Sequence, residues 1–211
     1  MTQTAHLWLF FVMVFGIIVL PGLDMAFVLA SSLVGGRKAG LSAVSGVVAG
    51  SMCHVAVGAT GVAVLLQVMP VAFNALLWGG ALYVAWMGVS LWRAGAAFTA
   101  RPLTERRSSF ATFRQGAVTN LLNPKAYLFM LAVFPQFFRP EYGPLWLQTL
   151  VMGAIIAVTQ VGVYGSLVLI ADRARGWLET NPAASTAVAR VVGCLMLLAA
   201  VATAVEGWRG V

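Results

Sequence analysis

Two formal charges stand well inside apolar runs of this 211-residue chain, Asp24 in the first run and Lys125 in the fourth. At bilayer depth a charge costs at least about 2.5 kcal/mol on insertion scales, so each requires a partner or a wet cavity. The obvious partners are each other, or the two ends of a bound solute. Both charges sit beside a proline: Asp24 closes Pro21-Gly22-Leu23-Asp24, and Lys125 closes Asn120-Leu121-Leu122-Asn123-Pro124-Lys125. Proline lacks an amide hydrogen, so within a helix Pro21 leaves the Ile17 carbonyl without its bond and Pro124 does the same to Asn120. Helices broken at corresponding places in two halves of a chain point to a binding site at the membrane midplane.

Each of these residues also has a plainer reading. Asp24 can cap the half-helix that starts near Met25, which does not exclude a second role. Directly after Pro124, Lys125 falls at the positive end of the following half-helix, where a cation is disfavoured. A carboxylate, from Asp24 or from a bound solute, relieves that conflict; otherwise Lys125 snorkels to the headgroups of a span that starts later. His54 lies mid-run in the second apolar segment, Gln160 and Tyr164 in the fifth. With Asn120 and Asn123 they are candidates to line a polar path, although a lone His or Gln in a membrane helix equally serves as an interhelical hydrogen-bond partner. Gly46 and Gly50 form a small-xxx-small step suited to close helix packing. Cys53 and Cys194 lie in apolar runs, without metal-ligand spacing, and are expected to be small packing residues.

The elements that must hold these groups follow from composition. At 61% hydrophobic and 9% charged residues, with mean hydropathy +0.91, the chain has too little polar surface to cover a water-soluble globule. Six apolar segments are long enough to cross a bilayer core of roughly 30 Å: Leu7 to Leu33, Leu41 to Leu66, Val71 to Trp92, Ala117 to Phe138, Leu145 to Ile170 and Ala187 to Trp208. Backbone polar groups cannot face lipid unpaired, so the fold class is all-α, a six-span integral membrane protein. The first run lacks a basic flank and is expected to be a retained helix, not a cleaved leader.

The basic residues gather in the odd connectors: Arg37 and Lys38; Arg93, Arg101, Arg106, Arg107 and Arg114; Arg173, Arg175 and the flanking Arg190. The even side has only Arg139 and Arg209. That bias puts the odd connectors in the cytoplasm and both termini outside, and it explains the net charge of +7 without nucleic acid. Trp8, Trp92, Trp146 and Trp208 fall near span ends, as interfacial anchors do. The polar stretch 93–116 reads as a linker within one transporter domain of residues 1–211, with repeat halves of about 1–92 and 117–211. Three is odd, so a repeat of the first three spans in the second three has inverted orientation.

The chain contains no phosphate-binding glycine loop with its lysine, no nicotinamide fingerprint, no metal-ligand cluster and no Ser/His/Asp set, so neither an enzyme nor a cofactor is expected. The motifs Pro21-Gly22-Leu23-Asp24-Met25, Gly36-Arg37-Lys38-Ala39-Gly40, Asn120 to Lys125 and Phe134-Pro135-Gln136-Phe137 together resemble the lysine-exporter (LysE/RhtB) family of bacterial inner-membrane amino-acid efflux proteins. The likeness covers essentially the whole chain in length, span count and spacing. It departs from the family pattern at Leu23, where Pro-Gly-Pro-Asp is usual, which makes the first break less rigid.

The resemblance implies export of an amino acid or analogue coupled to inward proton movement, with Asp24, Asn123, Pro124 and Lys125 at the site. The partners it implies are a small-molecule substrate, protons and the lipid bilayer, with self-association left open. The family's substrates range over basic, small neutral and branched amino acids, and the motifs select none. Two other classes compete: a membrane thiol-disulfide electron-transfer protein, which needs two reactive cysteines beside the breaks, and an uncoupled channel or assembly subunit.

Overall fold

The computed structural model describes residues 2–20, 22–59, 78–79, 81–82, 85–86, 88–90, 92–93, 108–123, 125–126 and 129–209. Pro21 and Pro124, to which the sequence assigns the helix breaks, lie outside the described residues, as does most of the third expected span.

Helix α1, Gln3–Val19, starts at an N-cap in which the Thr2 hydroxyl accepts from the Ala5 amide at 3.3 Å. It stops at Leu20, which is extended (φ −60°, ψ 126°). The next helix, α2, runs Leu23–Ala59 with a non-helical residue inside it, Gly36 at φ 73° and ψ −170°. That backbone is open to glycine almost alone. It folds the helix back on itself: Gly40 lies against the Ser32 hydroxyl and the Val168 side chain, whereas eight residues of straight helix would separate positions 32 and 40 by about 12 Å. The two limbs, residues 23–35 and 37–59, correspond to the end of the first expected span and to the second. The turn is fastened by the Arg37 amide, which donates to Asp172 Oδ1 at 2.9 Å.

Helix α3, Ser109–Leu121, begins where the Ser108 hydroxyl accepts from the Ala111 amide at 3.1 Å. It therefore starts ahead of the expected Ala117, because a helix capped by serine can run on past the lipid and its polar first turns lower the hydropathy that marks a span. A helical pair at 125–126, a π-helical turn Phe129–Val133 and two 3-10 turns, Phe134–Phe137 and Pro140–Tyr142, complete the fourth expected span and its exit. Helix α4, Leu145–Glu179, is unbroken, and α5, Pro182–Arg209, follows. The described positions between 78 and 93 are helical. By length and composition α2 and α4 each contain enough apolar helix to cross a membrane.

Polarity is inverted relative to a water-soluble protein. Phe110, Val158, Leu198, Leu150 and Val201 are exposed on the outer surface, while Asp24, Ser51, His54, Asn120, Asn123 and Gln160 are buried. An apolar shell around polar groups is stable only where the surroundings are hydrocarbon. Trp8, Trp92 and Trp146 are exposed, as interfacial anchors need to be.

One core joins Phe10, Val14, Phe27, Val47, Phe134, Ile156 and Tyr164. A second packs the first limb of α2 against α4 and α5 through Leu33, Leu178 and Met196. The expected close packing at Gly46 and Gly50 is present: Gly46 abuts the Phe113 carbonyl, and a Cβ on Gly50 would stand 2.8 Å from Asn120 Oδ1 and 2.9 Å from the Ala117 carbonyl. This brings α2 against the backbone of α3.

The cysteines differ from expectation. Cys53 and Cys194 are free and exposed on the outside of the bundle, not packed within it. Hydropathy reports depth in the membrane and is silent about which side of a helix a residue occupies; on α2 the inward positions are taken by Ser51 and His54.

Candidate functional site

The end of α1 at Leu20 and the start of α2 lie against the end of α3 and Lys125. Asn120, in the last turn of α3, donates from Nδ2 to Asp24 Oδ2 at 2.9 Å. Lys125 reaches in the other direction, its Nζ donating to the Leu20 carbonyl at 2.9 Å and passing so close to Gly22 that a Cβ there would stand 3.1 Å from it. Helix-end electrostatics explain both placements. Leu20 closes α1, so the ammonium meets the negative end of a helix, and Asp24 occupies the first turn of α2, at a positive end.

Among the described residues no ion pair joins Asp24 to Lys125. The two charges line one cavity and act on each other across it, while each is bonded to an amide or a helix-end carbonyl. The conflict anticipated at Lys125 is relieved by a carbonyl instead of a carboxylate. Nor is Asp24 simply a cap, since its carboxylate is bonded by α3.

The Asn120 carbonyl, left without a proline amide to bond it, receives the Asn123 amide at 2.9 Å and faces His54 Nε2 at 3.1 Å. A carbonyl only accepts, so the His54 hydrogen is on Nε2. Asn123 Oδ1 accepts from the Lys125 amide at 3.0 Å, starting the helical turn beyond the interruption in the manner of an Asx cap.

From α4, Gln160 Nε2 donates to the Ser51 hydroxyl at 2.8 Å, which donates to Asn120 Oδ1 at 3.2 Å. The order Gln160, Ser51, Asn120, Asp24 is a one-way file of donors that ends on the carboxylate. Four chain segments are joined by it.

These groups surround a cavity with about 430 Å³ of empty space, counting its open mouth. Asp24, His54, Asn120, Asn123, Lys125, Gln160 and Tyr164, all singled out from sequence, line it together. Ser51 is the polar lining residue that sequence reasoning missed, along with the apolar ones. Its signal was helical register, three residues before His54 and hence on the same face. Three buried polar atoms around the cavity make no hydrogen bond of full geometry, Asp24 Oδ1, Gln160 Oε1 and Asn123 Nδ2, and the Asn123 side chain faces the Asp24 carboxylate. Two are acceptors and one is a donor, beside an ammonium. Among the described residues no cluster of His, Cys, Asp or Glu suited to a metal ion is found.

An apolar-surfaced helical bundle whose polar side chains converge on an internal cavity defines a membrane protein with a polar interior. Residues 14–207 match the LysE type translocator family, and the chain belongs to that family, whose members are translocators and not enzymes.

It is 29% identical over 178 residues to the homoserine/homoserine lactone efflux protein of Salmonella typhimurium, covering 84% of this chain and 85% of that one. It is 30% identical over 201 residues to an uncharacterized membrane protein of Vibrio cholerae, covering 92% and 97%. It is 34% identical over 131 residues to the leucine efflux protein of Salmonella choleraesuis, covering 62% of each. No solved structure matches at a significant level.

Proposed function

We propose that this protein is a secondary transporter of the bacterial inner membrane that exports an amino acid or a related small solute from the cytoplasm. The observation that carries the reading is the set of unpartnered groups around the cavity. Asp24 Oδ1 and Gln160 Oε1 offer acceptors to an α-ammonium, and Asn123 Nδ2 with the Lys125 ammonium offers donors to an α-carboxylate. That is the complement of a zwitterion. Relatives named for efflux of homoserine, its lactone and leucine support the same substrate class.

Proton antiport is the coupling, with Asp24 as carrier: one carboxylate oxygen is held by Asn120 and the other is free to take a proton when the solute ammonium leaves. The prolines at 21 and 124 produce the two interruptions, and the chain is two inverted three-helix halves. Reciprocal contacts support this. The Phe10 ring on α1 packs against Phe129 and Phe137 beyond the second interruption, and Phe27 on α2, beyond the first, packs against Gly116 on α3. In such an inverted repeat these two contacts correspond to one another. Both termini face outside and the basic connectors face the cytoplasm, from the charge bias.

The test is uptake of labelled amino acids by respiring everted membrane vesicles. Uptake that depends on the protein and collapses with a protonophore is expected. Uptake that is indifferent to the protonophore supports the uncoupled channel instead, and loss of activity in a Cys53→Ala, Cys194→Ala protein points to thiol chemistry.

A further inference from the structure

We infer that the solute carried is an amino acid with an uncharged, apolar side chain of about leucine or methionine size, and that Ile156, Met130 and Phe129 form the surface that selects it. The inference rests on the exporter reading and narrows it.

The cavity divides chemically. Its polar groups come from the two interruptions and from the α2 and α4 positions bonded to them, and their spare capacity is the zwitterion complement already described. The remainder of the lining is hydrocarbon: Ile17 and Ile18 from α1, Phe129 and Met130 from the π-helical turn, and Ile156 from α4. Asp24 is the only acid among the described lining residues. Its free oxygen is committed to the α-ammonium. A cationic side chain would therefore enter with no second carboxylate to meet it, and would meet the Lys125 ammonium as a like charge. An anionic side chain would compete with the α-carboxylate for Lys125 and face Asp24. A neutral aliphatic side chain meets neither penalty and gains from contact with the apolar wall.

Ile156 stands one helical turn before Gln160 on α4, so the two share a face. The side chain of the solute is thus placed a fixed step along α4 from the group that takes its ammonium. The π-helical turn at Phe129–Val133, a wide geometry that recurs at functional sites, holds Met130 and Phe129 on the same lining. Phe129 and Met130 are each 6% exposed and Ile156 is 4% exposed, so the wall is set by packing.

The experiment is counterflow in proteoliposomes of the purified protein, with labelled leucine, methionine, lysine, arginine and glutamate measured in parallel. Leucine and methionine are expected to exchange at least about tenfold faster than the three charged amino acids, the least that leaving a buried charge unpaired should produce. Lysine or glutamate carried as well as leucine overturns the inference and leaves the exporter reading standing. A folded protein that carries none of the five also overturns the inference, while the exporter reading stands or falls on the everted-vesicle uptake.

Ile156→Glu should raise the lysine-to-leucine ratio, and an unchanged ratio in a folded variant refutes the assigned wall. Should that variant not fold, Ile156→Ala serves the same end: it should shift preference from leucine towards larger side chains, and an unaltered preference refutes the placement.

Discussion

The two interruptions face one another and are opposites in chemistry. The one at residues 20–22 presents acceptors, the Leu20 carbonyl and the Asp24 carboxylate. The one at 122–124 is flanked by donors, the Asn120 amide and the Lys125 ammonium, and each donor crosses to an acceptor of the other. Had both been alike, each would have needed water or ions to settle its loose ends. Because they differ, they settle one another through two crossing hydrogen bonds and leave one of each kind of group, Asp24 Oδ1 and Asn123 Nδ2, facing each other without a fully formed bond. The surplus, not the pair, is what a solute can use.

The largest effect should come from erasing the difference at its charged members. Asp24→Asn and Lys125→Met are each expected to weaken transport by about ten- to a hundredfold, since hydrogen bonds to charged groups contribute about 1.5–3 kcal/mol. Efflux kinetics in vesicles would show it. The stability side of the same variants sharpens the picture. A directly paired buried couple loses about 3–5 kcal/mol when one member goes, whereas two charges resting on separate partners should couple by only about 1 kcal/mol. A double-mutant cycle of thermal stability in detergent decides, and a coupling of several kcal/mol would mean that the two residues do pair.

Next comes Ser51→Ala, which removes the link between Gln160 and Asn120. With two buried groups unsatisfied, a loss of about 1–3 kcal/mol of stability is expected, together with a raised KM from a loosened Asn120. A protein as stable as the original would show that Ser51 is not a link.

A gentler change is Gly22→Ala. The added Cβ would stand 3.1 Å from Lys125 Nζ, and a flexible side chain can yield by a few tenths of an ångström, so stability should fall by less than about 1 kcal/mol. The hydrogen bond to Leu20 should lengthen, and transport should fall measurably through Lys125 alone. Gly22→Ala combined with Lys125→Met is then expected to behave as Lys125→Met does.

Least of all should follow from replacing Cys53 and Cys194 by serine. Both lie on the outer surface and away from either interruption, so transport should be unchanged within error. A folded cysteine-free protein without activity would contradict this.

What could be read in advance was whatever is expensive in a membrane. A charge, an imidazole, a carboxamide or a phenol inside an apolar run is conspicuous because it costs free energy to place there, and all seven residues chosen on that ground line the cavity. Ser51 escaped because a hydroxyl is cheap on a helix: Ser32, Ser42 and Ser45 each bond a carbonyl four residues back and announce nothing. Ser51 differs from them only in what stands opposite, which a single sequence does not display.

The hydrogen-bond partners of the charges escaped for a related reason. Formal charges are visible in the letters, but the partial charges at a helix end exist only once the helix has stopped, and the Leu20 carbonyl is one of these. The all-helical class and the order of the described helices were legible from hydropathy. Helix ends were not, because α3 and α4 continue through polar residues such as Arg114 and Asp172 that hydropathy assigns to connectors.

The unbroken helix α4 serves as a ruler. Its 35 residues extend about 52 Å at 1.5 Å per residue, and fitting that length into roughly 30 Å of hydrocarbon would need a tilt near 55°, beyond the range in which membrane helices lie. Part of it must therefore stand in the headgroup layer, and its charged stretch Asp172, Arg173 and Arg175 is the part suited to do so. Asp172 grips the Gly36 turn there. Twelve residues back along the same rod, roughly 18 Å deeper, is Gln160, which is about half the thickness of the hydrocarbon. The grip at the rim and the cavity at the centre are thus two graduations on one rigid scale, and the depth of the second is fixed by the length of helix that separates it from the first.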